Sequence, residues 1–428
     1  MHQPVPEFRP RVLHLAQPVD GGVARVVLDL ARAQLAAGLR VTAGCPGGEL
    51  AAGLRELGAD VREWRADRSP GPGLPGEVRR LARLVDAVRP ELVHAHSAKA
   101  GLAARLAVRG RIPTVFQPHA WSFEAVDGTT AALALRWERW GARWAHRVVC
   151  VSEAERATGL RAGVRASYTV VPNGIDLTRF PPFSPFSPFS PFSPFSPFSP
   201  APVRRCLPPE FAAAPLVVCV GRLCRQKGQD VLLRAWEQVL RTVPDARLVL
   251  VGDGPDRDAL RRQAHPDVLF TGAVADPLPW YRAADLVALP SRWEGMALAP
   301  LEALACGRPV VLSDVGGARE SLPPALAARC LVPPQDAAAL AGVVAALLSD
   351  APLRAALGEQ GRRYVLSTHD VRHTAARIAD LYRELLAARP SVPTPAPVPV
   401  PMPAPMPTPA PMPSECREST ECRESTPS

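Results

Sequence analysis

The stretch from 289 to 320, LPSRWEGMALAPLEALACGRPVVLSDVGGARE, reads as a strand end, a loop, a short helix, a second strand and a glycine turn. Pro300 fits the first turn of the helix, where its missing N–H costs nothing. Glu302 is expected in the same turn, where the helix dipole favours a carboxylate. Gly307 then ends the helix. Free N–H groups at the helix start, with Gly295 permitting close approach, suit an anionic ligand that also carries hydroxyls.

The two glutamates of this stretch belong to a longer string. Glu294 and Glu302 stand eight positions apart within S-x-x-E-G-x-x-L-x-x-L-E-A-x-A-x-G-x-P-V-V. This string resembles the donor-site signature of retaining glycosyltransferases of family 4, which have the GT-B fold. The resemblance implies an α/β protein with two doubly wound, Rossmann-like domains that face a cleft. It also implies that the donor nucleotide lies on the second domain, against Gly295, Met296 and Ala297 as well as the two glutamates.

Proline content marks the domain boundaries. Of the 50 prolines, 11 lie in 181–209 and 13 in 390–428, so the excess is confined to two short segments. We therefore expect an N-terminal, acceptor-side domain at 1–178 and a low-complexity insert at 179–210. A C-terminal, donor-side domain at 211–389 and a disordered Pro-rich tail at 390–428 complete the chain.

The insert consists largely of the triplet Pro-Phe-Ser, repeated six times over 182–199. A proline at every third residue favours polyproline II and places the phenylalanines on one face. One interpretation is a docking strip for an aromatic-binding partner or a lipid. We favour the other, an expanded DNA repeat tolerated in a surface loop. The doubled hexamer ECREST at 415–426 is likewise interpreted as a repeat expansion.

The net charge of +9 is concentrated in the first half of the chain. Residues 1–180 hold 25 Lys and Arg against 17 Asp and Glu, which gives +8. A basic half indicates an anionic partner, and the chain shows no nucleic-acid-binding motif. We therefore expect an anionic membrane surface or a diphosphate-bearing acceptor, and no nucleic acid. An arginine-rich solvated surface is an equally good explanation.

Cysteine usage and hydropathy bear on the compartment. The nine cysteines form no C-x-x-C pair and no metal-ligand spacing, which favours a reducing environment. Cys150, Cys219 and Cys330 lie in apolar, strand-like runs and are expected to be buried. The first residues lack a signal-peptide core, and no apolar run approaches the ~20 residues of a membrane span. We expect a cytoplasmic protein, with peripheral binding at the inner membrane face as an option.

The first half opens as a doubly wound unit. Residues 11–16 read as a buried strand, Gly21 and Gly22 as a turn, and 23–37 as an amphipathic helix. The turn lacks the G-x-G-x-x-G spacing of a dinucleotide site. The resemblance implies that these glycines lie near the donor phosphates, and they also fit a tight turn that needs positive φ.

Histidines mark two further strand ends. His94 and His96 lie in ELVHAHS, a strand that ends at the ligand-binding edge of the sheet. HAHSAKAG resembles the acceptor-side motif of family 4 enzymes that build capsular or other surface polysaccharides, which adds Lys99. A satisfied core histidine is the alternative for His94. By resemblance, His119 lies close to the donor sugar, although family members often have His-Gly where this chain has Ala120. A loop histidine without a role is the alternative.

A tryptophan-rich helix is expected over 131–146. Trp137, Trp140 and Trp144 recur at helical spacing beside several arginines. A basic, tryptophan-rich helix could lie on a membrane. We favour the other interpretation, in which the stripe packs on the sheet, because an apolar strand follows directly.

The second half repeats the pattern, with two cations after its first strand. Arg222 and Lys227, in G-R-L-x-x-Q-K-G, stand where cations and free N–H groups neutralise a diphosphate without a metal. This string is also typical of the family. By resemblance, the loop 272–276, with Val274, lies by the nucleotide base. The D-x-D at 256–258 opens a helix, where aspartate is favoured by capping, so we reject a metal-binding role for it.

These features together predict a metal-independent glycosyltransferase of the hexosyl class. It would move a sugar, with retention, from a nucleotide donor to a hydroxyl of a glycan or lipid-linked acceptor in surface polysaccharide or glycolipid synthesis. The donor is expected to be a UDP-sugar, with GDP left open, and no cofactor is expected. Arg222 and Lys227 would stabilise the leaving diphosphate. By resemblance, Glu302 would bind the ribose, Glu294 would bind a sugar hydroxyl and His119 would position the sugar.

Two alternatives remain open from the sequence. A nucleotide-sugar epimerase shares the fold but lacks the paired-glutamate signature. A non-catalytic protein that binds a nucleotide sugar and recruits partners through its insert and tail is the second alternative.

Overall fold

The computed structural model describes residues 9–180, 203–204 and 207–388. All of these belong to one compact unit. The predicted polyproline insert over 182–199 and the predicted disordered tail from 390 lie outside the described residues.

The first part of the chain forms a parallel sheet covered by helices. Its strands are β1 (Arg11–Ala16), β2 (Arg40–Cys45), β3 (Asp60–Glu63), β4 (Leu92–His96), β5 (Thr114–Gln117), β6 (Arg147–Cys150) and β7 (Tyr168–Val170). Their spatial order is β3-β2-β1-β4-β5-β6-β7. The accompanying helices are α1 (Gly21–Ala36), α2 (Glu49–Glu56), α3 (Leu74–Val88), α4 (Ser97–Val108), α5 (Gly128–Gly141) and α6 (Glu153–Arg161).

The second part repeats this architecture. Its strands are β8 (Leu216–Val220), β9 (Arg247–Val251), β10 (Val268–Gly272), β11 (Leu286–Leu289), β12 (Val310–Ser313) and β13 (Leu331–Val332), in the spatial order β10-β9-β8-β11-β12-β13. The helices are α7 (Pro209–Ala212), α8 (Gln229–Thr242), α9 (Arg257–Gln263), α10 (Leu278–Ala283), α11 (Leu298–Ala305), α12 (Pro324–Cys330), α13 (Ala337–Ser349), α14 (Ala351–Thr368) and α15 (Val371–Ala387).

Two doubly wound, Rossmann-like sheets were predicted, and both are present. The central strands are apolar runs because both faces of each sheet are buried. The edge strands β3 and β13 were not predicted, since one is polar and the other has two residues. Of the three cysteines expected in buried strands, Cys150 and Cys219 are in strands, whereas Cys330 is the buried last residue of α12.

The signature stretch forms the predicted strand, loop, helix and strand, with one correction. The helix α11 begins at Leu298, so Pro300 is its third residue and Glu302 its fifth. Glu302 therefore lies in the second turn, not in the first as expected, because the helix starts two residues before the proline.

The last helix returns to the first sheet. His94 Nδ1 lies 2.6 Å from the hydroxyl of Tyr382 in α15. The side-chain amide of Gln34 lies 3.5 Å from the same hydroxyl. The helix α15 therefore packs on the first domain.

The tryptophan stripe of α5 is not core, contrary to the favoured interpretation. Trp140 is 42% exposed and Leu133 67% exposed. Trp140 and Trp144 pack against each other edge to face, with ring centroids 4.3 Å apart. The helix fully buries Glu138 and Gly141, and the half-buried Trp137 packs against Gly141, so the tryptophans lie at the margin of the buried face. No described helix alone is long and apolar enough to span a membrane; α13 and α14, bent by 104°, reach that length and apolarity only as a pair.

The turn after β5 has an unusual backbone. His119 has φ +57 and Ala120 has φ +94, a region that favours glycine. Glu155 stabilises the turn. Its carboxylate accepts hydrogen bonds from the backbone N–H groups of Ala120, at 2.6 Å, and Val151, at 2.7 Å. Burial raises the pKa of Glu155 to about 7.

We expect Ala120→Gly to stabilise the protein by about 1 kcal/mol, because relief of backbone strain outweighs the added freedom of the unfolded chain. Ala162→Gly is the matched control, since Ala162 has φ −73 and the same substitution there should destabilise by about 0.5–1 kcal/mol. Urea denaturation of the three proteins measures both changes. Equal destabilisation by the two substitutions would contradict the positive φ at Ala120.

We expect a pH dependence of stability that originates from Glu155. Its folded pKa of about 7 lies above the ordinary value of 4.5, so the folded state holds more protons than the unfolded state between these pH values. The free energy of unfolding should therefore fall as pH rises from about 4.5 to about 7, by up to about 3 kcal/mol. Denaturation at several pH values should show a flatter profile for Glu155→Gln. The exposed neighbour variant Glu153→Gln should keep the wild-type slope; an unchanged slope in Glu155→Gln would refute the assignment.

Candidate functional site

The Glu294 loop, defined as residues 290–297, joins β11 to α11 and is fixed by a glycine turn. Gly316 has φ +48, and a Cβ there would lie 1.8 Å from the carbonyl oxygen of Glu294. The backbone N–H of Gly317 donates to the carbonyl oxygen of Gly295 over 2.7 Å. A side chain at Gly316 would displace the loop, so the glycine turn determines where Glu294 lies.

Glu294 and Lys227, predicted for different parts of the ligand, are in direct contact. Lys227 Nζ lies 2.5 Å from Glu294 Oε1, and the hydroxyl of Ser291 donates to the same oxygen at 2.9 Å. Gly228 has φ +66, and a Cβ there would lie 2.1 Å from the carbonyl oxygen of Pro290. The glycine after the lysine thus allows the turn to approach the Glu294 loop.

Arg222 faces a second cation from the first domain. Arg222 follows β8 and forms no ion pair with a carboxylate in the part of the chain that the structure describes; its guanidinium lies 3.8 Å from Cys224 Sγ. Partial burial and then the charge of Arg222 lower the pKa of Arg68, which follows β3. Two cations that repel each other across the domains form a favourable place for a dianion.

Arg68 was missed by the sequence analysis. Ligands bind at the carboxyl ends of parallel strands, which is where Arg68 lies. The signal was hidden because β3, Asp60–Glu63, has the sequence DVRE and shows no apolar pattern.

Glu302 is almost enclosed, with 9% of the residue exposed. Burial raises its pKa, and the Tyr281 hydroxyl beside it and the charges of Arg25 and Arg179 oppose that rise. The carboxylate therefore has a small exposed edge, which is enough to accept a hydrogen bond but not to bind a large group.

The loop 272–276, with Val274, lies at the same edge of the second sheet as Glu302. Asp276 of this loop forms an ion pair with Arg179, whose charge also acts on Glu302. The structure thus brings together the segment expected at the base and the residue expected at the ribose.

Gly21 and Gly22 begin α1, with φ +71 at Gly21. A Cβ at Gly22 would lie 4.0 Å from Leu298 Cγ, the first residue of α11. The N-termini of the two helices therefore meet. Two sets of unpaired N–H groups converge there, which favours an anion.

His119 is half-buried beside the Glu294 loop. Burial lowers its pKa to about 3, so the ring is neutral near pH 7. A Cβ at Gly295 would lie 3.0 Å from the backbone nitrogen of Ala120. A neutral imidazole in this position can donate or accept one hydrogen bond but adds no positive charge.

Two loop residues expected at the donor contact the first domain through their backbone. Ser152 Oγ donates to the carbonyl oxygen of Gly295 at 3.1 Å, and Asn173 Nδ2 donates to that of Met296 at 2.8 Å. Met296 is buried, so its side chain packs inside the fold. Ala297 lines a small cavity with Ser291 and Glu294.

The residues expected on the acceptor side are all buried, which agrees with the core-histidine alternative for His94. His94 and His96 are fully buried, and Lys99 is buried in an ion pair with Glu77, with 2.6 Å between Nζ and Oε2. These side chains are therefore bonded within the fold, and their role on the acceptor side stays a prediction. Strand β4 is buried on both faces. The histidines of its H-x-H pattern face the helices α1 and α15.

The D-x-D sequence sits where a helix start was predicted. Asp256 precedes α9, and Asp258 lies in its first turn. The helix start is confirmed, but the Asp256 side chain forms no capping hydrogen bond, so only the favourable position of Asp258 in the helix dipole remains of that interpretation.

Comparison with known families identifies both halves of the chain. The family described as Glycosyltransferase Family 4 matches residues 20–179, and the family described as Glycosyl transferases group 1 matches residues 214–350.

Curated relatives match over part of their length. A GDP-mannose-dependent alpha-(1-6)-phosphatidylinositol monomannoside mannosyltransferase of Mycolicibacterium smegmatis is 39% identical over 181 residues, 39% of this chain and 47% of the relative. A UDP-Gal:alpha-D-GlcNAc-diphosphoundecaprenol alpha-1,3-galactosyltransferase of Escherichia coli is 27% identical over 250 residues, 55% of this chain and 61% of the relative. The chain thus spans about half to three fifths of these relatives.

A solved structure covers nearly the whole described fold. The crystal structure of Anabaena HepE in complex with UDP-glucose superposes with a TM-score of 0.73 at 24% identity, over 88% of this chain and 100% of HepE. This likeness shows the fold. The chain therefore has the GT-B fold, with residues 20–179 matching Glycosyltransferase Family 4 and residues 214–350 matching Glycosyl transferases group 1.

Proposed function

We propose that this protein transfers a sugar from a nucleotide sugar to a hydroxyl of a glycan or lipid-linked acceptor. The observation that carries the proposal is the convergence of cations and helix starts from both domains. Lys227 and Arg222 come from the second domain, Arg68 comes from the first, and the N-termini of α1 and α11 meet. A diphosphate placed there receives charge from three side chains without a metal ion.

Each residue has a distinct task in this proposal. Arg222 and Lys227 stabilise the charge that develops on the leaving diphosphate. Glu294, which holds Lys227 in the present structure, exchanges that contact for a hydroxyl of the donor sugar. Glu302 accepts a hydrogen bond from a ribose hydroxyl. His119 positions the donor sugar and, because its ring is neutral, does not attract the phosphate.

Retention at the anomeric carbon is part of the proposal. In this family the acceptor oxygen is thought to attack from the same face as the leaving diphosphate. No protein nucleophile is then required, and the diphosphate oxygen can accept the proton of the acceptor hydroxyl. The positions of Glu294 and His119 agree with binding roles.

The names of the relatives bear on the donor. The sequence resemblance favoured a UDP-sugar, and the relative from Mycolicibacterium smegmatis is named for GDP-mannose. We propose GDP-mannose as the first donor to test and a UDP-sugar as the second, because the relative from Escherichia coli uses UDP-Gal. Both relatives are named for lipid-linked acceptors, so we propose a lipid-linked acceptor and action at the cytoplasmic face of a membrane.

Calorimetric titration with GDP, UDP and ADP tests the donor site. We expect one of the three to bind, and Arg222→Ala/Lys227→Ala to bind it at least about tenfold more weakly, since each charged hydrogen bond is worth about 1.5–3 kcal/mol. Glu302→Gln should weaken binding through the ribose. The charge-matched control is Arg241→Ala/Arg329→Ala, two exposed helical arginines. If no nucleotide binds, or the variants bind like the parent, the proposal fails and partner recruitment becomes the better explanation.

Turnover separates transfer from the alternatives. Incubation with the nucleotide sugar that binds, with and without lipid-linked acceptors, should release nucleoside diphosphate only with acceptor. Proton NMR of the product should show the anomeric configuration of the donor. Free epimerised nucleotide sugar would instead indicate an epimerase, and binding without turnover a non-catalytic protein.

Arg68→Ala should also weaken nucleoside diphosphate binding, by about tenfold, because the first domain then supplies no cation to the phosphate. Arg65→Ala is the control, since Arg65 lies on the same loop with an exposed side chain paired to Glu63. Calorimetry with the preferred diphosphate and its monophosphate measures the effect. Unchanged affinity in Arg68→Ala would show that the diphosphate lies only on the second domain.

A further inference from the structure

Three buried histidines share one face of the first sheet. His14 in β1 pairs in register with His94 in β4, and Ala16 pairs with His96. Since side chains alternate along a strand, His14, His94 and His96 project to the same side. At most 1% of each residue is exposed.

Each histidine uses one ring nitrogen for a hydrogen bond away from the group. His14 Nε2 lies 2.7 Å from Gln34 Oε1, and His94 Nδ1 lies 2.6 Å from the hydroxyl of Tyr382. His96 Nδ1 lies 3.3 Å from His119 Nε2. Such outer partners fix the orientation and tautomer of histidines that bind metals.

The other three ring nitrogens converge. One ring nitrogen from each of the three histidines lies within 4.8 Å of the other two, and the outer hydrogen bonds leave His14 Nδ1, His94 Nε2 and His96 Nε2 for this role. Because the Gln34 oxygen only accepts, His14 Nε2 carries the proton and Nδ1 presents a lone pair. That lone pair faces His96 Nε2 at 3.0 Å.

Hydrogen bonds of good geometry do not reach every ring nitrogen of this group. A proton on His96 Nε2 can bridge to His14, but His94 Nε2 has no hydrogen-bond partner among the described residues. Gln117, the register partner of His96 on β5, is the hydrogen-bonding side chain beside His94, but neither its Oε1 nor His94 Nε2 forms a hydrogen bond of good geometry in the described part of the chain. Burial lowers the pKa of all three histidines, so their rings are neutral and each keeps one nitrogen lone pair that can bind a metal.

We infer that His14, His94 and His96 bind a zinc ion inside the first domain. Neutral imidazoles are preferred zinc ligands, with Zn–N distances of about 2.0–2.1 Å, which place tetrahedral ligand nitrogens about 3.3–3.4 Å apart. The converging nitrogens lie at most 4.8 Å apart, so their separations have to close by up to about 1.4 Å to reach that spacing. Gln117 Oε1 or a water molecule completes the tetrahedron.

The site has a structural role that does not depend on the proposed glycosyl transfer. Its outer partners are Gln34 of α1, Tyr382 of α15 and His119 of the turn after β5. A zinc ion would therefore link the sheet to the helix that returns from the second domain, and would fix the ring of His119 through His96.

The experiment uses the full chain expressed with added Zn²⁺ and without a polyhistidine tag. After dialysis against metal-free buffer, elemental analysis should find about one zinc per chain, and His14→Gln/His94→Gln should retain less than about one fifth of that. His265→Gln/His373→Gln, which alters two histidines outside the cluster, should retain the wild-type amount.

A second measurement protects the test against a variant that does not fold. Zinc-depleted wild-type protein should take up Co²⁺ with the visible absorption of tetrahedral nitrogen coordination, and Zn²⁺ should abolish that absorption. Removing zinc from the wild-type protein should lower Tm, and returning it should restore Tm. Absence of zinc retention and of the cobalt spectrum in the wild-type protein would overturn the inference, as would equal zinc loss in the control variant.

Discussion

The backbone of Gly295 lies against the first domain with no space for a side chain. A Cβ there would lie 2.8 Å from Val151 Cγ2 and 3.0 Å from the nitrogen of Ala120. Because only glycine permits this approach, the contact sets the distance between the Glu294 loop and the His119 turn. The ligand groups of the two domains are useful only at that separation, so the rest of the site depends on this contact.

Polar contacts with backbone groups reinforce the approach of the domains. The carboxylate of Glu320 accepts from the N–H groups of Glu153 and Ala154, the first two residues of α6. Helix N-termini leave such N–H groups unpaired, and a carboxylate there is also favoured by the helix dipole. Separation of the domains would return these groups to water at little cost. The contact of Glu320 with α6 therefore favours one arrangement of the two domains but does not prevent them from separating.

The sequence predicted the features that depend on nearby residues, namely the apolar strands and the helix ends. Strands buried on both faces, such as β1 and β8, appear as apolar runs, and Gly307 ends α11 as expected. Edge strand β3 could not be recognised, because pairing with β2 stabilises it and its own residues are polar. The contact of Lys227 with Glu294 joins segments 67 positions apart and was not predicted, since the two residues were assigned to different parts of the ligand. Arg68 was missed because it follows β3, and the polar sequence of β3 did not indicate a strand.

The acceptor-side histidines show the limit of strand patterns. Alternation in H-x-H correctly places His94 and His96 on one face of β4. It does not reveal which helix packs on that face. Part of the face lies under α15, whose Tyr382 is 288 positions beyond His94 in the sequence. A polar face on an internal strand would be costly to bury without partners. Gln34 and His119 come from the first domain itself, but Tyr382 follows the second domain in the chain, so His94 lacks this partner until α15 packs on the first domain.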